Sequence, residues 1–266
     1  MDSLKNKTLF ITGSTRGIGR CIALRAAADG ANVVITGKSD SPNPKLPHTI
    51  HETAADVEAA GGQALAVKLD VRDEASVQAA VAAAVEKFGG IDVLINNASA
   101  ISLTPIAATP LKRFDLIQQA NARGSFIAMQ ACLPHLKASD MGQVITLSPP
   151  LNLDTKWLAS YAPYTLSKYG MTMLTLGLAA ESRGKVRANC LWPATVIGTA
   201  AMKAVGPVPM ERTRAPEIMG EAAYHLMLNE EYNGQCLLDE DVLSAVGIND
   251  FSEWNQGGEP LPDLFL

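Results

Sequence analysis

Short apolar runs that alternate with helical patterns along the whole chain constrain its fold most strongly. Seven runs have the length and apolar content of buried strands, at 8–13, 32–37, 63–70, 91–96, 143–148, 186–193 and 235–239. Between them apolar residues recur at helical spacing, most clearly from Glu74 to Phe88, where Gly89 and Gly90 end the pattern. This alternation predicts one α/β domain over residues 1–266, a doubly wound, seven-stranded parallel sheet with helices on both faces.

The composition favours small molecules as ligands. The 266 residues are 47% hydrophobic and 18% charged, which suits one large core, and the net charge of −5 argues against nucleic acid and anionic membranes as main partners. No apolar run approaches the ~20 residues that span a bilayer. The first predicted strand begins too early to leave room for a signal peptide. We therefore expect a cytoplasmic protein with no membrane span.

Cysteine and histidine spacing predicts neither a disulfide framework nor a metal site. The cysteines lie far apart among apolar residues, as reduced buried thiols do: Cys21, Cys132, Cys190 and Cys236. His48 and His51 lie in a Pro-rich insertion at 39–51, with no Cys or acidic cluster nearby, before a helix predicted at about 49–60. We expect no bound metal.

A glycine-rich loop follows the first predicted strand and leads into an Ala-rich helix. Its sequence is Gly13-Ser14-Thr15-Arg16-Gly17-Ile18-Gly19. Without Cβ atoms at three positions, the backbone N–H groups and the positive end of the helix can face a pyrophosphate. The spacing G-x-x-x-G-x-G is also compatible with a turn that only lets the helix pack on the sheet.

Tyr164 and Lys168 lie four residues apart in a segment, 161–180, whose apolar spacing predicts a helix, so both side chains leave the same face. A free tyrosine loses its proton near pH ~10, and we expect the ammonium to bring the Tyr164 pKa closer to neutrality. The pair could then exchange protons with a carbonyl or alcohol. Alone, such a pair is more often a solvated helix face. Tyr161 has Thr165, and no lysine, four residues later.

Taken together these residues resemble the short-chain dehydrogenase/reductase family over nearly the whole chain. Six motifs occur in the family's order and near its usual distances: Thr12-Gly13-x-x-x-Gly17-Ile18-Gly19, Asp70-Val71, Asn96-Asn97-Ala98, Asn121-x-x-Gly124, Ser148 and Tyr164-x-x-x-Lys168. The segments 101–104, 148–153, 168–171, 191–193 and 261–266 look like the hydroxysteroid-dehydrogenase-like branch. Members of that branch often carry a sterol-carrier domain, which this chain is expected to lack, and without a terminal Ser-Lys-Leu we expect no peroxisomal address.

The resemblance implies a Rossmann domain and an NAD(P)-dependent oxidoreductase acting on alcohol and carbonyl groups. Tyr164 would be the general acid or base, and Lys168 would lower the Tyr164 pKa and hydrogen-bond the nicotinamide ribose. Ser148 would hydrogen-bond the substrate oxygen, and Asn121 would anchor a water that links Lys168 to solvent. Without the family resemblance, Ser148 could be a turn or cap serine, and Asn121 could be a residue that bends a helix.

Cofactor choice depends on the end of the second strand, where NAD enzymes place an acidic residue. Here Gly37 occupies that position, and Lys38 and Arg16 could meet a 2′-phosphate, so we favour NADP(H) over NAD(H). Either cation could instead be a solvated surface charge. The residues expected to bind the cofactor are Gly13, Ser14, Arg16, Gly17, Ile18, Gly19, Lys38, Asp70, Val71, Asn97, Ala98, Tyr164, Lys168, Pro193, Thr195 and Ile197. By the resemblance Asp70 would accept from the adenine amino group, and the 193–197 backbone would face the carboxamide.

Three departures from the family pattern bear on the site. Ser99 and Ala194 stand where glycines are usual, and the segment from Ser148 to Tyr164 is longer by three residues. Pro149 and Pro150 fix the chain after Ser148, so this lengthening bears on where the serine hydroxyl lies.

Apolar residues suggest a fatty, terpenoid or steroid-like carbonyl or alcohol substrate, although core or subunit contacts would use the same residues. They follow Ser148 or form a candidate lid after the sixth strand: Leu151, Leu153, Trp157, Leu158, Met202, Val205, Val208 and Met210. The strongly apolar helix at 164–180 also indicates a homodimer or homotetramer contact. A nucleotide-sensing module or a scaffold protein is the alternative, and the intact set of Tyr164, Lys168, Ser148 and Asn121 argues against both.

Overall fold

Seven parallel strands form a single sheet in the computed structural model, which describes residues 3–42, 48–205 and 208–266. They are β1 (Thr8–Ile11), β2 (Asn32–Gly37), β3 (Gln63–Lys68), β4 (Val93–Asn96), β5 (Gln143–Leu147), β6 (Arg187–Trp192) and β7 (Cys236–Leu238). Their order in the sheet is β3-β2-β1-β4-β5-β6-β7. All seven predicted strands are confirmed, and their ends differ from the prediction by at most two residues.

Helices cover both faces of this sheet. Within the described residues they are α1 (Gly17–Ala28), α2 (Ile50–Ala59), α3 (Glu74–Phe88), α4 (Leu111–Gln118), α5 (Gly124–Ala138), α6 (Thr155–Ser182), α7 (Ala200–Val205), α8 (Glu217–Leu228) and α9 (Asp239–Ala245). The α3 bounds are those predicted, because Asp73 caps its first turn and Gly89 ends it with a φ of 84°. The predicted loop at 39–51 is described only at its ends, since Pro44 and Pro47 lie outside the described residues.

Alternating side chains along the central strands place apolar cores on both faces of the sheet. In β1, Leu9 and Ile11 pack into the core formed with α1 and α8, whereas Phe10 packs into the core formed with α3 and α5. Val33, Ile35 and Val34 of β2 divide between the two cores in the same way. The predicted doubly wound α/β fold is confirmed.

The sheet reverses its winding between β1 and β4, which lie side by side. From β1 the chain proceeds outward through β2 and β3, and it then returns to β4 and proceeds outward in the other direction. Such a reversal leaves a crevice beyond the carboxyl ends of the two strands, where ligands bind in folds of this kind. The loops that follow β1 and β4 therefore face each other at one edge of the sheet.

The helix that carries Tyr164 is interrupted three residues before it. We predicted one helix over 161–180, but α6 begins at Thr155 and Tyr161 has non-helical angles, φ −139° and ψ 22°. Pro163 explains the break, because it has no N–H to donate to the preceding turn and its ring crowds that turn. The extra residues between Ser148 and Tyr164 therefore form a short helical segment before the break.

Neither a membrane-spanning helix nor a metal cluster occurs in the part of the chain that the structure describes. No helix there is long and apolar enough to cross a bilayer. No group of three or more His, Cys, Asp or Glu side chains in the same ranges is arranged to hold a metal ion. All four cysteines are free thiols, with Cys21, Cys132 and Cys190 buried.

Candidate active site

A cavity of about 970 Å³ opens along the carboxyl ends of the strands. The glycine loop after β1 lines one end, and Tyr164 and Lys168 line the other. The structure brings thirteen of the predicted residues into its wall: Gly13, Arg16, Gly17, Ile18, Lys38, Asp70, Val71, Asn97, Ala98, Tyr164, Lys168, Pro193 and Ile197. Ser14, Gly19, Asn121, Ser148 and Thr195 are not among its lining residues.

The glycine loop has the shape of a phosphate cradle. Gly13 and Gly17 have φ angles of 68° and 55°, which favour glycine. A Cβ at Gly19 would lie 2.5 Å from Asn97 Nδ2, so the close packing of the two facing loops requires glycine there as well. At the α1 N-terminus the extended Arg16 provides no side-chain cap. The first N–H groups of α1, at Gly17 and Ile18 in the cavity wall, thus fit the pyrophosphate of a dinucleotide.

Charged side chains line the part of the cavity around Asp70 and Lys38, which we call the adenosine end because the family resemblance implies that the adenosine binds there. Arg72 binds the Asp70 carboxylate through two nitrogens, with Nε–Oδ1 and Nη2–Oδ2 distances of 2.9 and 2.6 Å. These bonds lower the pKa of Asp70 to about 2, so it is ionised at neutral pH. Lys38 is exposed in the same wall as Arg16. A Cβ at Gly37 would lie 2.8 Å from Thr15 Cγ2, so an acidic side chain could enter only if Thr15 moved.

Tyr164 and Lys168 are both 3% exposed at the opposite end of the cavity. Lys168 Nζ donates to the Leu147 carbonyl oxygen at 2.8 Å and lies 5.2 Å from the centroid of the Trp192 ring. Burial disfavours both charged forms, and it lowers the pKa of Lys168 to about 8. Burial also raises the pKa of Tyr164 above its usual range, and the Asp263 carboxylate raises it further. The expected lowering of the Tyr164 pKa by the ammonium is therefore wrong for this site.

The C-terminal segment forms part of the cavity wall, which the sequence analysis missed. Asp263 and Leu264 line the cavity beside Tyr164 and Lys168. The Asp263 N–H donates to the Ala194 carbonyl oxygen at 3.1 Å, and burial raises the pKa of the Asp263 carboxyl to about 7. The one signal in the sequence was a lone acid among apolar residues near the end of the chain.

Phe265 anchors this segment. It is 1% exposed, and its ring centroid lies between 5.4 and 6.4 Å from those of four other aromatic rings: Trp157, Tyr164, Tyr169 and Trp192. The Leu264 carbonyl oxygen also accepts from Trp192 Nε1 at 3.0 Å. These contacts hold Asp263 against the Tyr164 end of the cavity.

Ser148 lies behind the cavity wall. Its side chain is completely buried beside the Cys190 thiol, and its hydroxyl oxygen has no hydrogen-bond partner of good geometry among the described residues. Pro149 and Pro150 follow it directly, and Ser148 is not among the residues that line the cavity. The role that the resemblance implied for Ser148 has no support in its position.

Asn121 joins two walls of the site. It is completely buried. It lies in a π-helical turn, Gln119–Arg123, which joins α4 to α5. Its Oδ1 accepts from the Ala100 N–H at 2.7 Å, and its Nδ2 donates to the Ala100 carbonyl and to Ser167 Oγ at 3.0 and 2.9 Å. These bonds connect the loop after β4 to α6.

Comparisons with known proteins identify the family of this chain. The family model for short chain dehydrogenases matches residues 7–207. Hydroxysteroid dehydrogenase-like protein 2 of Danio rerio is 50% identical over 263 residues, which cover 97% of this chain and 63% of that protein. The chain thus spans less than two thirds of the length of that relative.

Two solved structures superpose on nearly the whole chain. One, from Xanthomonas campestris, is 54% identical with a TM-score of 0.97 and 99% coverage of both chains. The other, a short chain dehydrogenase from Mycobacterium thermoresistibile, is 48% identical with a TM-score of 0.93, covering 99% of this chain and 96% of its own. The likeness therefore extends beyond residue 207, where the match to the family model ends.

Proposed function

The chain belongs to the short-chain dehydrogenase family, and from this premise we propose that it is an NADP-dependent oxidoreductase acting on an apolar carbonyl or alcohol. One observation carries the proposal. A buried phenol and amine, Tyr164 and Lys168, close one end of the cavity whose other end is the uncapped N-terminus of α1. A dinucleotide held by its pyrophosphate at α1 would extend toward the pair.

The chain's own residues handle the proton in this reaction. When bound, the nicotinamide supplies hydride to the carbonyl carbon or accepts it from the alcohol carbon. Tyr164 donates its hydroxyl proton to the substrate oxygen in reduction and takes the proton back in oxidation. Because burial keeps the phenol protonated at neutral pH, the site without ligand is prepared for reduction. Lys168, fixed on the Leu147 carbonyl, is the cation available for the ribose hydroxyls.

NADP is favoured over NAD by the charges at the adenosine end. Arg16 and Lys38 are both in the cavity wall. Gly37 stands where an acidic side chain would bind ribose hydroxyls, and a side chain there would require Thr15 to move. A 2′-phosphate at this place would meet two cations, whereas NAD would gain little from them.

Replacing Lys38 with Gln is expected to lower kcat/KM for NADPH by about 10- to 100-fold, because a hydrogen bond to a charged group contributes roughly 1.5–3 kcal/mol. The value for NADH should change by less than about threefold, since NADH lacks the phosphate. Steady-state kinetics with both nucleotides measures the ratio. Lys137→Gln, at an exposed lysine on α5, is the matched control. An equal loss with both nucleotides would contradict this role for Lys38.

An apolar substrate is supported by the side chains near the reacting end. The cavity wall there contains Ile101, Leu103, Leu116, Met202 and Leu264. Of the predicted substrate residues that the structure describes, Met202 lines the cavity, while Leu151, Leu153 and Leu158 are exposed to solvent. A fatty, terpenoid or steroid-like carbonyl fits this surface.

A panel of apolar aldehydes, ketones and alcohols, assayed with both nucleotides, tests the function. We expect oxidation of NADPH with at least one apolar carbonyl, followed by the absorbance of the reduced nicotinamide. Nucleotide binding without turnover across the panel would favour the sensing alternative. A chain that bound neither nucleotide would favour the scaffold alternative.

A homodimer or homotetramer is the assembly we propose, through α5 and α6. Four large apolar side chains on these helices are exposed: Phe126, Leu158, Leu166 and Met173 at 46%, 39%, 58% and 64%. Within the helix at 164–180 that predicted this contact, Met173 is exposed and Met171 is completely buried. A helix-to-helix contact would cover the exposed side chains.

A further inference from the structure

The oxygen of a bound carbonyl needs a second hydrogen-bond donor beside Tyr164, because charge develops on it as hydride arrives. The family resemblance assigns that task to Ser148. In the structure the Ser148 side chain is completely buried behind the wall. Another group in the cavity would therefore have to donate this second hydrogen bond.

Ser99 provides a hydroxyl group in the wall of the cavity that Tyr164 also lines. It lies in the loop after β4, its side chain is exposed, and it lines the same wall as Tyr164. Its hydroxyl lowers the pKa of the Tyr164 phenol, against the larger raising effects of burial and Asp263. The Ser99 Oγ also donates to the Ala100 carbonyl oxygen at 3.5 Å. The residue has no positive φ, so the backbone accepts a serine at the usual glycine position without strain.

The residues on either side of Ser99 are clamped. On one side the Ala98 N–H donates to Thr12 Oγ1 at 3.0 Å. On the other side Asn121 binds both backbone groups of Ala100. The loop therefore has little freedom to move Ser99 away from the cavity.

The clamp also connects Ser99 to the turn that carries Tyr164. Asn121 Nδ2 donates to Ser167 Oγ at 2.9 Å, and Ser167 Oγ donates to the Tyr164 carbonyl oxygen at 2.7 Å. The buried amide and hydroxyl thus hold the loop after β4 and the first turns after the α6 break in one arrangement. This network ties the backbone next to Ser99 to the backbone of Tyr164.

We propose that Ser99 is a catalytic residue that hydrogen-bonds the reacting oxygen together with Tyr164, in place of Ser148. The inference rests on the proposed oxidoreductase function. In reduction, hydride forms the new C–H bond, the Tyr164 O–H bond breaks, and its proton forms the O–H bond of the alcohol. Ser99 donates a hydrogen bond throughout and keeps its own proton, and Tyr164 regains a proton from solvent.

Other charged groups act on the same phenol. Lys168 lies on the same helix face, Asp263 approaches from the C-terminal segment and raises the Tyr164 pKa, and Asp239 lies behind Asp263 and raises the Asp263 pKa. Ser99 is the neighbour that lowers the Tyr164 pKa. Loss of its hydroxyl would therefore move the pH dependence of alcohol oxidation upward, because the phenolate would form at higher pH.

The test compares Ser99→Ala with Ser244→Ala, a change at an exposed serine on α9. For Ser99→Ala we expect kcat to fall roughly 100-fold, while the nucleotide Kd changes little and the alkaline rise of kcat for alcohol oxidation moves to higher pH. Ser99→Thr, which keeps a hydroxyl, should recover part of the lost rate. Ser244→Ala should match the wild type.

Two results would overturn the assignment. If the wild type turns over an apolar carbonyl and Ser99→Ala does so at the same rate with the same pH profile, Ser99 has no catalytic role. If Ser148→Ala causes the larger loss of kcat and shifts the pH profile, the task belongs to Ser148. A wild type that binds nucleotide and turns over nothing in the panel refutes the proposed function and this inference with it.

Discussion

Tyr164→Phe is expected to abolish measurable turnover while nucleotide binding survives. Positioned proton transfer contributes about 10²–10⁴-fold to a rate, so kcat/KM should fall at least that far when the hydroxyl is removed. The ring itself stays in place, because Phe preserves the packing against Phe265, at a centroid distance of 6.4 Å. Steady-state kinetics and a nucleotide titration by intrinsic fluorescence separate the two effects.

Tyr161→Phe is the matched control for this change. Tyr161 lies at the break in α6 and also contacts the aromatic cluster around Phe265, but no lysine follows it at the right spacing. The control should keep its activity, and thermal denaturation should show both variants folded. Normal turnover by Tyr164→Phe would refute the assignment of the proton donor.

Lys168→Met is expected to impair both nucleotide binding and rate, lowering kcat/KM by roughly 10³-fold as a charged hydrogen bond and the cation beside the phenol are lost together. Met preserves much of the length and packing of the stem. The fold should tolerate the change, because Asp263, whose pKa is already raised to about 7, can take up a proton once its neighbouring cation is gone. Separate measurement of the nucleotide Kd, which should rise, and of kcat, which should fall, tests both effects.

The pH dependence of the wild type provides a second measurement of Lys168. Burial lowers its pKa to about 8, so the ammonium is present below that pH and is lost as the pH rises through it. In the wild type, kcat/KM for the nucleotide should decrease above about pH 8, and Lys168→Met should lack that decrease. Lys137→Met, on the surface of α5, should keep it. A Lys168→Met variant that bound nucleotide normally would contradict the role of Lys168 in nucleotide binding.

Much of the site could be predicted because its signals are local in the chain. The glycines of the loop after β1, the capped and terminated helix α3, and the spacing of Tyr164 and Lys168 each depend on residues a few positions apart. Short-range rules of turn geometry and helix periodicity decide such features. The glycine loop and the Tyr164–Lys168 pair line the same cavity.

Features that depend on close packing could not be predicted in the same way. The direction of the Tyr164 pKa was wrong because the desolvation of a buried phenol outweighs a nearby amine that burial has itself made less basic. The position of Ser148 depends on how Pro149 and Pro150 leave β5, and the short helix before Tyr161 was not expected from spacing alone.

The doubly wound sheet, the phosphate cradle and the Tyr164–Lys168 pair could all be predicted from residue order, since each follows from periodicity and local backbone geometry. Which hydroxyl and which carboxylate lie near that pair depends on how distant segments pack together. Ser99 reaches it because buried hydrogen bonds clamp the loop after β4, and Asp263 reaches it because Phe265 inserts into an aromatic cluster. These contacts join residues up to about a hundred positions apart. No short-range sequence pattern reveals them, because they depend on the close packing of the folded chain.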